Sequence, residues 1–143
     1  MTRPGLTTFR LADGDVVDDY VVVRPIGSGS QAEVYELRSQ QTGERRALKL
    51  LRATLPDTRR RLEFECEAQS RLAHGNIVGV YELVTIGQKL GLLMEYVDGP
   101  NLSAWLAERK PDLLTALAVF HGVLDAVHHA HVRGLIHRDI KPE

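Results

Sequence analysis

Only one cysteine, Cys66, occurs in the 143 residues, so no disulfide can form within the chain and a reducing compartment is the natural setting. Charge of one sign is equally scarce. A formal net charge of -1 gives no electrostatic reason to expect nucleic acid or an anionic membrane as the main partner. Residues 1–19 lack the apolar centre of a secretory leader, and no stretch is expected to approach the apolar length needed to span a bilayer. The absences together lead to the expectation of a soluble cytoplasmic protein without a membrane segment. There is no internal repeat and no low-complexity stretch.

What is present begins with a polar stretch, residues 1–19, in which Asp13, Asp15, Asp18 and Asp19 leave little to bury; it is expected to be a flexible leader. From Tyr20 the pattern changes to β-formers. Tyr20-Val21-Val22-Val23 and Glu33-Val34-Tyr35-Glu36-Leu37 read as two strands around Gly27-Ser28-Gly29-Ser30. Gln41-Thr42-Gly43-Glu44 is a turn, and residues 47–51 a third strand. A helix follows, capped by Asp57, with Leu62, Cys66, Gln69 and Leu72 near one face. Two more strands, at 80–86 and 90–97, flank Gly87-Gln88-Lys89. Asp98-Gly99-Pro100 ends the sheet. A short helix near 102–108 comes next, then a longer one from 113 to 132 with Leu113, Leu117, Phe120, Leu124 and Val127 at helical spacing, closed by Gly134.

The glycines lie between two strands, whereas a dinucleotide fold needs them at the start of a helix. In a hairpin, missing Cβ atoms let backbone N–H groups approach phosphate oxygens, although an ordinary glycine hairpin has the same look. Lys49 weighs against the ordinary reading. It stands in Ala47-Leu48-Lys49-Leu50, where a lysine among apolar residues is costly to desolvate unless an anion meets it. By alternation Ala47 and Lys49 share the face that would lie under the glycines.

Downstream lies His137-Arg138-Asp139-Ile140-Lys141-Pro142-Glu143. Glycine loop, strand lysine, helix glutamate, hinge and this string, in this order, resemble the eukaryotic-type serine/threonine protein kinase domain, in particular its bacterial members. The resemblance runs from Tyr20 to the end of the chain. It implies an α+β fold: a five-stranded antiparallel small lobe with one C-helix over 20–97, and the first helices of an incomplete helical large lobe over 98–143. It also implies ATP and Mg2+ as cofactors, and ATP-dependent phosphoryl transfer to serine or threonine of protein substrates.

Carried over residue by residue, the resemblance gives Gly27, Ser28, Gly29 and Ser30 the role of covering the ATP phosphates. Ile26, Val34 and Ala47 would pack on adenine, and Lys49 would hold the α- and β-phosphates. Met94 looks like the residue that gates the adenine pocket, and Glu95, Tyr96 and Val97 like the hinge. Asp139 would orient the substrate hydroxyl and accept its proton, Arg138 would read an activation loop, and Lys141 would contact the transferred phosphate. For the helix partner of Lys49, Glu65 and Glu67 compete; about 200° of helical rotation separates them, so they cannot share a face. The leucine and histidine that usually follow the family's glutamate correspond to Leu72 and His74 when counted from Glu65, so Glu65 is chosen and Glu67 is the alternative.

Three positions depart from the family pattern without removing chemistry: Ala32 for the third glycine, Arg46 for a valine and Gly75 for a proline. His128, His129, His131 and His137 invite a metal site, but packing at the helix end and bracing of the catalytic loop account for them better. Arg59-Arg60-Arg61 reads as a solvated helix face, Cys66 as a buried unreactive thiol and Trp105 as core packing. A small-molecule phosphotransferase with a related lobe is disfavoured by Lys141 and the complete string from His137 to Glu143, which leaves two functions in competition. One is a kinase whose N-terminal part this is; the other is a non-catalytic kinase-like module that binds nucleotide or a partner.

The chain stops at Glu143, where the family usually has an asparagine. That asparagine and a later Asp-Phe-Gly aspartate are the family's magnesium ligands, so no metal ligand is expected within the chain, which reads as truncated inside its catalytic loop. Purified residues 1–143 are therefore expected to show no transfer to a generic basic protein and to melt broadly. Each leucine-sized side chain left open on the long helix forfeits about 1.5–3 kcal/mol. Robust magnesium-dependent transfer by a sharply melting monomer, in a phosphate-transfer assay combined with thermal unfolding and light scattering, overturns this expectation.

Overall fold

The structure, a computed structural model, describes residues 10–52 and 58–142. Its strands are β1 (Val16–Val17), β2 (Tyr20–Ser28), β3 (Ala32–Ser39), β4 (Arg45–Leu51), β5 (Val80–Ile86) and β6 (Lys89–Glu95). Helix α1 (Thr58–Ser70) lies between β4 and β5, and α2 (Leu102–Arg109) and α3 (Leu113–His131) follow β6. The strands form one antiparallel sheet in the order β1-β2-β3-β4-β6-β5. The expected cap Asp57 lies outside the described residues.

Six strands replace the five expected, and the extra one comes from the stretch read as a loose leader. Asp18 takes a left-handed φ of 49°, which Asp tolerates, and the tight turn Asp18–Asp19 folds β1 back on β2. Val17 and, further upstream, Leu11 are buried in the main core with Val22, Tyr35, Leu37, Leu48, Leu50, Val84 and Leu93. The acidic spacing of residues 13–19 concealed these two apolar contacts. A polar pair holds the segment as well: Leu11 donates its N–H to the Tyr35 hydroxyl at 3.3 Å, and that hydroxyl donates to Glu33 Oε2 at 2.5 Å.

Alternation along β3 and β4 explains which side is core. Tyr35 faces Leu48 across the ladder, and both are buried with Leu37 and Leu50. The other parity carries Val34, Ala47, Lys49, Leu92 and Met94, and here α1 packs. Its Cys66 is buried against Val80 and Leu92, with Leu83 and Met94 beside them. Leu62, one turn earlier, is buried too. The two apolar residues at four-residue spacing give α1 only a narrow contact stripe, and Phe64 is left exposed.

Side chains cap both later helices. Asn101 Oδ1 accepts from the N–H of Ala104, and Asp112 Oδ1 from that of Thr115, each at 2.8 Å. Hydrogen bonding by the Thr115 side chain, and then by its N–H, holds the Asp112 carboxyl below its ordinary range. Gly134, at a φ of 78°, closes α3 with an N–H bond to the His131 carbonyl. Trp105 is only half-buried and α2 has no buried residue, contrary to its expected core role. Along α3, Ala126 alone is buried, while Leu113, Leu117, Phe120 and Leu124 are exposed. By length and composition only, α3 is long and apolar enough to cross a membrane, against the expectation that no stretch approaches that length.

The Tyr35 hydroxyl should matter beyond its own volume. Its bond is the largest cause holding the Glu33 carboxyl below its usual range, with the Arg10 and Arg52 charges adding to it against the effect of burial. A depressed folded pKa contributes stability above the ordinary glutamate range, and that stability is lost as pH falls through the folded value. Tyr35→Phe should therefore cost about 1–3 kcal/mol at neutral pH. The gap from the parent should narrow in acid, as urea unfolding at the two pH values would reveal.

Candidate functional site

Three strands bring the expected phosphate residues into one row. Gly27 pairs with Val34, Val34 with Lys49, and Lys49 with Leu92. In the adjoining row Ala47 pairs with Met94. Paired residues of an antiparallel ladder project from the same face, so the loop glycine, the lysine and the small and large apolar residues expected around a base occupy one patch. Ala47 is buried, Val34 and Met94 are half-buried, and Ile26 is exposed beside the irregular register between Pro25 and Gly27. Lys49 itself is exposed. Its ammonium is therefore hydrated, and the desolvation expected from its apolar neighbours does not occur.

The glycine turn has its own internal bonds. Gly29 donates its N–H to the Ala32 carbonyl at 2.9 Å, and Arg52 donates its backbone N–H to the Gln31 carbonyl at 2.9 Å. The Arg52 guanidinium adds Nε to the Gly29 carbonyl at 2.9 Å and Nη2 to Ser28 Oγ at 2.8 Å. Its third nitrogen, Nη1, stands 3.1 Å from Glu33 Oε1, which also faces Arg10 Nε at 3.0 Å. Neither contact on Oε1 has hydrogen-bond geometry; they are ion pairs only. Among the described residues, no backbone carbonyl accepts from the N–H groups of Ser30 and Gln31.

A second buried carboxylate, Glu36, serves the segment after β6. Arg45 Nε meets Glu36 Oε1 at 2.8 Å, and Arg24 Nη2 lies 2.9 Å from Oε2. Both arginines continue to the expected hinge. Arg45 stacks over the Tyr96 ring at 4.0 Å and pairs with Asp98 at 2.8 Å, while Arg24 donates to the Tyr96 hydroxyl at 3.3 Å. Glu95 turns the other way, exchanging backbone and side-chain bonds with Gly79. Val97 lies past the strand and is exposed.

Lys49 and Glu65, expected to pair, are both exposed. Cys66 is the residue of α1 that faces the sheet, and its neighbour Glu65, about 100° round the helix, is exposed. Glu67, the alternative, pairs with Arg71 one turn on. An exposed pair of this kind is worth only about 0–1 kcal/mol, so packing of Cys66 decides the rotation of the helix. Burial also pushes the Cys66 thiol above its usual range, in keeping with an unreactive thiol.

Asp139 and Lys141 stand on the segment after α3, both exposed, with Lys141 Nζ 3.8 Å from Asp139 Oδ2. His137 Nδ1 accepts from the Asp139 N–H at 3.3 Å, the bracing role expected of it. Arg138 between them has a left-handed φ of 64°, a cost of about 1–3 kcal/mol for a residue with a Cβ. The Ser103 N–H anchors the segment through the Pro142 carbonyl at 2.8 Å. Helix α3 meets the loop after α1 where His74 Nε2 lies 3.2 Å from Asp125 and its ring 4.8 Å from that of His129. Among the described residues no three acidic, histidine or cysteine side chains converge as a metal site.

Sequence reading missed Arg10, Arg24, Arg45, Arg52, Glu33 and Glu36. One signal was available: Glu33 shares the parity of Tyr35 and Leu37, so a core assignment for that face implies a buried carboxylate in need of cations.

Comparison with known proteins adds a family. The protein kinase domain family matches residues 20–143. Among curated relatives, the serine/threonine-protein kinase PknI of Mycobacterium tuberculosis is 35% identical over 138 residues and PknF of the same species 33% identical over 138 residues. Pkn1 of Myxococcus xanthus is 36% identical over 126 residues. The alignments cover 92%, 92% and 85% of this chain but only 24%, 29% and 18% of those relatives' lengths. The crystal structure of the M. tuberculosis PknI kinase domain superposes with a TM-score of 0.77 at 34% identity, covering 93% of this chain and 56% of that one.

The role assigned to Glu36 is open to a direct check. Glu36→Gln leaves Arg24 and Arg45 without their shared anion, and should lower stability by about 1–3 kcal/mol in urea unfolding. It should also quench less tyrosine fluorescence at Tyr96, since the stacked guanidinium would be released.

Proposed function

The chain belongs to the protein kinase domain family, and we propose that it supplies the nucleotide-binding half and the catalytic loop of a bacterial-type serine/threonine protein kinase. The observation that carries this reading is the row Gly27–Val34–Lys49 beside the pair Ala47–Met94 on one face of the sheet. ATP, as substrate, fits these groups: an exposed ammonium and loop amides suit anionic phosphate, and a buried alanine beside a half-buried methionine suits a flat base. Lys49 would hold the α- and β-phosphates, with Gly27 to Ser30 covering them. Ile26, Val34, Ala47 and Met94 would enclose adenine, and the backbone of Glu95 to Val97 would border its polar edge.

On the large-lobe side, Asp139 would orient a serine or threonine hydroxyl of a protein substrate and accept its proton. Lys141, beside it, would neutralise charge on the phosphoryl group in transit. The magnesium of the family is a different matter, because the residues described here do not form a site for it; no step is assigned to it and no residue is named as its ligand. Glu65 would pair with Lys49 and hold its ammonium toward the phosphates. The exposed positions of both residues favour a second reading as well, a nucleotide- or partner-binding module without catalysis.

Nucleotide titration of residues 1–143, followed by transfer assays in a chain carrying the complete domain, separates these readings. Asp139→Asn should lower transfer about a hundredfold or more with nucleotide affinity little changed. Glu65→Gln should impair transfer and Glu67→Gln should be mild. Near-normal turnover of the Asp139 variant would remove that residue from the mechanism. Nucleotide binding with no transfer in the complete domain would favour the module.

A further inference from the structure

Arg52 uses every nitrogen it has on or beside the glycine turn. The backbone N–H and the Nε donate to carbonyls of Gln31 and Gly29, Nη2 donates to Ser28 Oγ, and Nη1 faces Glu33. The guanidinium side chain is itself mostly covered, at 28% exposure, and the Glu33 side chain is 8% exposed. With the Gly29 carbonyl tied to the guanidinium and the Gln31 carbonyl to the Arg52 backbone N–H just past β4, the turn has fewer ways to swing, and its amides are held in a preset direction.

The same carboxylate reaches the segment that precedes β1. Glu33 accepts from Tyr35, whose hydroxyl accepts from the Leu11 N–H, and it pairs with Arg10. The glycine turn and residues 10–11 are thus joined through one nearly buried anion. Removing Arg10 leaves Glu33 with less positive charge, which alters how firmly Oε1 holds Arg52.

We propose that Arg52 is a positioning residue that orders the glycine loop for phosphate binding, and that Glu33 couples this order to the N-terminal segment carrying Arg10 and Leu11. The phosphate part rests on the nucleotide reading given above; the ordering part does not. A lysine cannot replace the fork, because one ammonium cannot address the Gly29 carbonyl, Ser28 Oγ and Glu33 in the planar arrangement seen here.

The test uses residues 1–143 and compares the parent with Arg52→Lys, Arg52→Gln and Arg10→Gln. Amide hydrogen exchange at Gly29, Ser30 and Gln31 is followed by NMR without nucleotide, and ATP is then titrated. Both Arg52 variants should speed exchange in the turn and weaken ATP about tenfold, the scale of one charge-assisted hydrogen bond. Arg10→Gln, which touches no loop atom, removes a competing cation from Glu33 Oε1 and should slow exchange in the turn and tighten ATP by a smaller factor. Unchanged turn exchange in Arg52→Lys overturns the positioning role, and an Arg10 effect confined to its own segment overturns the coupling. If the parent binds no ATP while the Arg52 variants loosen the turn, the nucleotide reading fails and the ordering role stands.

Discussion

A carboxylate cannot leave water unless cations and donors replace its hydration, and β3 buries two of them. Glu33 and Glu36 differ by an odd number of positions, so they leave the strand on opposite faces. One gathers Arg10, Arg52 and the Tyr35 hydroxyl; the other gathers Arg24 and Arg45. The first set borders the glycine turn, and the second borders the hinge. The two segments expected to flank a nucleotide thus share strand β3 between them. The same requirement explains why residues 10–17 fold: Arg10 and Leu11 complete the shell that Glu33 needs.

Cohesion is uneven across the molecule. The sheet has an aliphatic core closed by Tyr35, whereas α1 touches it through a two-residue stripe and α2 buries nothing. Helix α3 approaches the sheet side through His74, Asp125 and His129, a polar contact with little apolar area behind it. Local opening should therefore be easiest in the helices and hardest in β2 to β4, since opening free energy follows buried apolar contact.

Much of this was legible in the residues. Strand runs, glycine turns and the apolar spacing of α3 follow from local patterns, and among the described residues five of six strands and all three helices lie where those patterns put them. The row Gly27–Val34–Lys49 could be anticipated from alternation alone. What escaped reading depends on distant partners. Val16 and Val17 are too short a run to signal a strand, and become one only because β2 offers an edge. Lys49 looked buried because its chain neighbours are apolar, yet exposure is set by how much of its face α1 covers. The arginines were invisible for a related reason: each is ordinary in sequence, and acquires a role when a buried glutamate lies across the ladder.

Cys66 is the sole thiol of the chain and sits at the contact between α1 and the sheet, its sulfur shielded and its ionisation suppressed. The molecule therefore carries an intrinsic clock for the seating of that helix. A maleimide can react only during the intervals in which α1 lifts away, so the labelling rate counts those departures, and anything that draws the helix inward would slow it. Once attached, the adduct would occupy the space between Val80 and Leu92 and act as a wedge, trapping the departed state for inspection.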